Sequence, residues 1–165
     1  MKLESLNDLY LEQLKDLYSA ETQLVDALPK MAERATSPDL KKGFQEHLRQ
    51  TEEQVPRLEQ IFQSLGESPK GHTCEGMKGL IKEGEEMIKM KGDDKVIDAG
   101  LIAAAQRVEH YEIAGYGTVR TYAQMLGHAQ HATLLERTLQ EEERTDEKLS
   151  QLAKSHINQE AVVGR

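Results

Sequence analysis

The chain has 165 residues, of which 38% are hydrophobic and 30% charged, and a net charge of −8 at pH 7. That length suffices for one domain with a core and argues against two. An acidic surface repels phosphate backbones, so no nucleic-acid partner is expected, and no apolar run approaches the roughly 20 residues a membrane helix needs.

There is no Trp and there are only two Phe, so the core must come from Leu, Ile, Val, Ala and Met with five Tyr. This balance favours helix over strand. The opening Met1-Lys2-Leu3-Glu4-Ser5 carries acid early and has no apolar stretch, which argues against a secretory signal. A lone cysteine, Cys74, cannot form an intramolecular disulfide, and a reducing, cytoplasmic location follows as an expectation.

The first predicted helix runs from about residue 4 to 35. Leu6, Leu9, Leu14, Leu17, Leu24, Leu28 and Met31 recur at helical spacing, and Pro29 should kink its last turns. The second starts at Ser37-Pro38-Asp39, which reads as N-cap, first helical position and acid in the first turn. Its core face is expected to be Leu40, Phe44, Leu48, Val55, Leu58 and Phe62, with a bend at Pro56 and a C-cap at Leu65-Gly66. The connection that follows, about 67 to 93, carries a short helical pattern from Cys74 to Met90, marked by Met77, Leu80, Ile81 and Met87-Ile88. Gly92-Asp93-Asp94 ends it and caps a third long helix, about 94 to 126, closed by Gly127. The fourth is expected from about 128 to 157. The bundle is assigned to residues 1–158 and a frayed tail to 159–165.

Two long helices, a long crossover and two more long helices is the connectivity of a ferritin-like four-helix bundle, with the short extra helix in the crossover. Rods of about 30 residues span about 45 Å, which leaves room for a site at mid-height.

The chemistry lies in what interrupts each apolar stripe. In the first helix Glu21 falls between Leu17 and Leu24. In the second, His47, Thr51 and Gln54 fall between Phe44 and Leu58, and a seven-residue step puts His47 and Gln54 within about 20° of each other. In the third, Glu109 and Glu112 fall between Val108 and Tyr116, about 60° apart. In the fourth, Glu142 and Asp146 fall between Leu139 and Leu149, one turn apart.

Taken singly these residues have ordinary explanations. A Glu on a helix is usually exposed or paired, and Arg107, Arg120 and Arg144 stand close in sequence. A core His is usually hydrogen-bonded, and Thr51 or Gln54 can bond to helix carbonyls. Tyr18, Tyr111, Tyr116 and Tyr122 read first as core or interface residues, and Gly115 and Gly117 as sites of close helix packing. His110 points about 100° away from Glu109, and His128 and His131 are expected at the surface. Nothing around Cys74 suggests an activated thiolate.

The joint pattern is harder to dismiss. Buried carboxylates must be protonated, paired or metal-bound, and five acids converging on one level would repel one another. Two divalent cations, held by hard oxygen ligands and an imidazole, are the simplest charge balance.

Four segments carry a family resemblance. Leu17-Tyr18-Ser19-Ala20-Glu21, the run Ala103-Ala104-Ala105-Gln106-Arg107-Val108-Glu109-His110-Tyr111-Glu112-Ile113-Ala114, and Leu139-Gln140-Glu141-Glu142-Glu143-Arg144-Thr145-Asp146 resemble the bacterial YciE/YciF family, as does Ala27-Leu28-Pro29-Lys30-Met31-Ala32. The likeness spans about residues 3 to 155. It implies a ferritin-like fold related to rubrerythrins, an association with stress responses, and a homodimer. By position it matches Glu21, Glu109, Glu112 and Glu142 to the acids of a di-metal site, and puts Asp146 where many ferritin-like proteins have His. The chain departs from the common pattern in lacking the paired Glu-x-x-His motif. It offers His47, Thr51 and Gln54 instead, with Gln50 where some relatives carry Glu.

The expected metal ligands are therefore Glu21, His47, Gln54, Glu109, Glu112, Glu142 and Asp146, holding iron or manganese, two ions per chain. Glu109 or Glu142 would bridge. The expected chemistry is ferroxidase, peroxidase or catalase-like, on dioxygen or peroxide. The alternative is a metal-free helical dimer that binds a partner during stress. Iron storage in a cage has little support, since a dimer encloses no volume.

Overall fold

A computed structural model describes residues 3–163, and every regular element within them is helical. Helix α1 spans Leu6–Arg34, α2 Pro38–Leu65, α3 Glu75–Lys89, α4 Asp94–Met125 and α5 Ala129–Leu152. A π-helical turn, Ala153–Ile157, then leads into α6, Asn158–Val163. The segment expected to fray is thus helical through Val163. Gly164 and Arg165 of that tail, and Met1 and Lys2 at the other end, lie outside the described residues.

The ends form for local reasons. Ser5 Oγ accepts from the Asp8 N–H while the Asp8 carboxylate accepts from the Ser5 N–H, a reciprocal capping box. Ser37 caps α2 with Pro38 at its first position. Gly66 (φ 68°) and Gly127 (φ 77°) close α2 and the α4–α5 turn in the left-handed region that glycine enters without a Cβ clash. Cys74 is the N-cap of α3, its sulfur accepting from the Met77 N–H at 3.4 Å.

The helices pair as α1 with α2 and α4 with α5. The two hairpins then pack α1 on α4 and α2 on α5, while α3 lies across α1 and α4. This is the ferritin-like bundle, with the crossover helix covering one of its four faces. At one end Tyr10, Leu14, Leu17, Leu58, Phe62, Tyr116 and Leu135 form an apolar plug. At the other, Met31, Leu40, Phe44, Leu101, Leu149 and Ile157 form a second. Full burial of each such side chain stabilises the fold by about 1.5–3 kcal/mol. Between the plugs, all four long helices carry a buried polar residue.

Some packing differs from expectation. Leu48 and Val55 are only half-buried, and Ile61 fills the place on α2 instead. A Cβ on Gly115 would stand 2.7 Å from Leu17 Cδ2, so that glycine does permit close packing, whereas Gly117 faces open space. His131 is buried rather than at the surface, because Tyr10 Oη reaches its Nδ1 at 3.2 Å and Ser64 Oγ its Nε2 at 2.5 Å. Burial lowers its pKa, with a smaller contribution from His128.

Candidate metal centre

The polar layer is built by one rule repeated four times: a ligand-type side chain occupies a core position of a helix whose neighbouring turns are apolar. On α1 this is Glu21, on α2 His47, Thr51 and Gln54, on α4 Glu109 and Glu112, and on α5 Glu142. All are essentially sealed from solvent.

His47, Glu109, Glu112 and Glu142 converge, with one ligand atom from each lying within 4.8 Å of the others. His47 Nδ1 stands 3.1 Å from Glu109 Oε1, and Nε2 stands 3.4 Å from Glu142 Oε2. Neither contact is aligned as a hydrogen bond, and both ring nitrogens lack a partner. The same holds for both oxygens of Glu109, both of Glu112 and Oε2 of Glu142. Such atoms are rare in folded proteins, since each unsatisfied buried group costs about 1–3 kcal/mol, and more when charged.

Other atoms of the layer have partners, although Gln54 Oε1 has none. Gln54 Nε2 donates to Glu142 Oε1, and also to Glu141 Oε2 at 3.1 Å. Tyr116 Oη donates to Glu21 Oε1, leaving Glu21 Oε2 unpartnered. Thr51 bonds back to the His47 carbonyl at 3.0 Å, the ordinary role foreseen for it. Arg57 is the nearby buried cation, but its guanidinium is engaged by Glu141 in a two-pronged pair at 2.6 and 2.9 Å, and by Thr138 at 3.2 Å. Of the arginines singled out by sequence proximity, Arg120 pairs with Glu136, Arg107 bonds the Ala103 carbonyl, and Arg144 is exposed on α5.

The electrostatics follow. Burial pushes Glu21 up to about 8, helped by the Glu142 charge and opposed by the Tyr116 hydrogen bond. Burial and the neighbouring glutamates, Glu142 and Glu21 among them, hold Glu109 and Glu112 well above the usual carboxylate range. Burial acts against the charge of Glu142 too, but His47, Glu109 and Gln54 outweigh it and keep this carboxyl below its ordinary value. Four buried glutamates with one free imidazole therefore form a site short of positive charge.

Asp146 stands apart from the converging group. It is partly exposed on the α4–α5 flank, accepting from Gln106 Nε2 at 3.1 Å and facing His110 Nε2 at 3.3 Å. The step from Glu142 to Asp146 turns about 40° around the helix axis, which carries the side chain out of the core. Its charge still reaches Glu109.

Arg57 and Asp98 are buried charges that the stripe reading did not single out. Asp98 tethers the α1–α2 turn to α4: it accepts from the Thr36 N–H at 2.9 Å, the Thr36 hydroxyl at 2.8 Å and the Ser37 N–H at 2.7 Å.

The donor set fits a metal. It offers hard carboxylate oxygens and one imidazole, buried, unpartnered and convergent from three helices, with Glu21 of the fourth beside Glu112. Among the described residues no helix is long and apolar enough to cross a membrane.

Residues 5–162 match the model of the family described as domain of unknown function DUF892. The chain is 43% identical to protein YciF of Escherichia coli strain K12 over 162 residues, 98% of each chain. The crystal structure of that E. coli protein, which is described as a stress protein, superimposes with a TM-score of 0.91, covering 94% of this chain and 99% of the other. YcfI of Rhodopseudomonas palustris is 44% identical, with a TM-score of 0.87 over 90% of this chain and 95% of its own. A Xanthomonas campestris protein at 22% identity, with a TM-score of 0.73 over 96% and 94% of the two chains, shares the fold.

Proposed function

The chain belongs to the DUF892 family, and from that premise we propose that it is a stress-associated dinuclear metal-carboxylate protein. The ions are iron or manganese, two per chain, in the mid-height layer of the bundle. The observation that carries this reading is the set of unpartnered oxygens on Glu109, Glu112 and Glu142 facing an equally unpartnered His47. Two divalent ions offset four glutamates and satisfy these atoms together.

His47 supplies the imidazole nitrogen, and Glu109, Glu112 and Glu142 supply carboxylate oxygens. Glu21 completes the set from α1, its Oε2 unpartnered and its Oε1 held by Tyr116. Gln54 orients Glu142, the outer support that keeps a ligand in one geometry. Asp146 acts from outside, through its charge on Glu109. The two apolar plugs exclude water from either end. When bound, the ions would supply redox chemistry with dioxygen or peroxide.

Assembly as a homodimer and residence in a reducing compartment are parts of the same proposal. The first rests on the family resemblance and the second on the single buried thiol of Cys74. The stress association comes from the E. coli relative.

Thermal unfolding with and without anaerobic Fe(II), or with Mn(II), tests the reading. A ligand that binds only the folded chain stabilises it by about 2.7 kcal/mol at a hundred times its Kd. The melting temperature should rise for the natural chain and stay unchanged for Glu109→Ala and Glu142→Ala. No rise at saturating metal would favour the metal-free, partner-binding alternative.

A further inference from the structure

Glu109 reaches a second feature besides the metal layer. A slot of about 30 Å³ runs between α1, α3 and α4. Its walls include Leu28 and Met31 of α1, Ile81 and Gly84 of α3, and Ala105 and Val108 of α4. Two acids touch it. Glu85 is partly exposed and occupied by Lys30 at 2.8 Å, whereas Glu109 is sealed from solvent with both oxygens unpartnered. About 10–15 Å³ holds one water-sized sphere, so the slot has room for a small molecule. A hydrocarbon-lined space offers water no hydrogen bonds and instead takes apolar gases.

The opposite face of the bundle is different. Between α2 and α5 lies a pocket of about 200 Å³ bordered by Glu46, His47, Gln50, Arg144, Thr145 and Lys148. Lys148 pairs with Glu46, and Thr145 bonds Gln50 at 3.4 Å, so this approach to the layer is polar. The site is thus flanked by one dry opening that meets Glu109 and one wet opening that meets His47. A reactant without hydrogen-bonding needs is matched to the first, and hydrated ions or peroxide to the second.

We propose that the slot beneath α3 is an apolar gas site through which dioxygen approaches Glu109. This deepens the metal-carboxylate reading and rests on it for the use made of the gas, but the site itself can be tested on the metal-free protein.

Gly84 is the position at which to close it. A Cβ there would lie 3.8 Å from Met31 Sδ, ordinary van der Waals contact, and Ala or Leu suits a helix better than Gly. Crystals of the metal-free protein under xenon pressure should show an atom in the slot between Met31 and Val108, and Gly84→Leu should remove it. Gly84→Ala is the smaller change, used if Gly84→Leu does not fold, and should lower xenon occupancy. In Fe(II)-loaded protein, Gly84→Leu, or Gly84→Ala in its place, should slow the reaction with dissolved dioxygen, by about tenfold for Leu, and leave that with hydrogen peroxide within about twofold. Absence of xenon from the natural slot, or equal slowing with both oxidants, would overturn the proposal. A protein that takes up xenon but no metal would sink the metal reading and leave the gas site standing.

Discussion

The phenol of Tyr116 donates to Glu21 Oε1 across the contact of α4 with α1, although the two residues stand 95 positions apart, and neither is exposed to solvent. The bond anchors one oxygen of the carboxylate and leaves the other free. Tyr116→Phe removes the donor without changing the ring that packs in the apolar plug. Supporting bonds of this type are worth about 10–100-fold in metal affinity. Mn(II) binding, followed by competition with a chelator, should weaken by about tenfold or more. An unchanged affinity would mean that Glu21 is not a ligand.

The metal-free protein should lose stability as pH rises. Glu21 keeps its proton up to about 8 in the folded chain and releases it near 4.5 when unfolded. Between those values the folded state binds more protons, so its advantage is full below the unfolded value and is lost as pH climbs towards 8. Glu109 and Glu112 act in the same direction. Glu142, held low, contributes stability that is lost only as pH falls below its ordinary value, outside this window. His131, with its lowered pKa, loses stability only on acidification below about 6.5. Melting temperatures of the metal-free protein should therefore fall from about pH 6.5 to about 8, and less steeply in Glu21→Gln. Metal requires the deprotonated carboxylates, so its stabilising shift should grow over the same range. A flat profile would contradict the assignment of buried, metal-free glutamates.

Asp98 should matter for the fold and not for the metal. It satisfies two backbone N–H groups and one hydroxyl where α1 turns into α2. Asp98→Ala leaves these donors without their acceptor, at a cost of about 2–4 kcal/mol by urea unfolding. Metal stoichiometry at saturation should be unchanged. Loss of metal from a still-folded variant would tie the turn to the site.

The fold and the layer were legible because each helix breaks its own apolar stripe at one level, and a polar residue at a core position is informative where an exposed one is not. Glu21, His47, Gln54, Glu109, Glu112 and Glu142 are all found that way. Asp146 follows the same spacing, yet a four-residue step drifts around the axis, and on α5 that drift ends at Gln106 and His110. His131 shows the rule applied too little: it stands four residues before Leu135, in the same stripe, and is buried with Tyr10. What periodicity does not contain is pairing across helices. That Tyr116 meets Glu21, that Gln54 meets Glu142, and that Arg57 is taken up by Glu141 depend on the relative height of the rods, set by the turns and the crossover.

The most direct test is metal content per chain, by plasma mass spectrometry, after anaerobic reloading of untagged protein with Fe(II) or Mn(II). The proposed site predicts about two ions per chain in the natural protein and in Asp146→Asn, and loss of binding in Glu142→Ala. No metal above background in the natural protein, or two ions retained in Glu142→Ala, would contradict it.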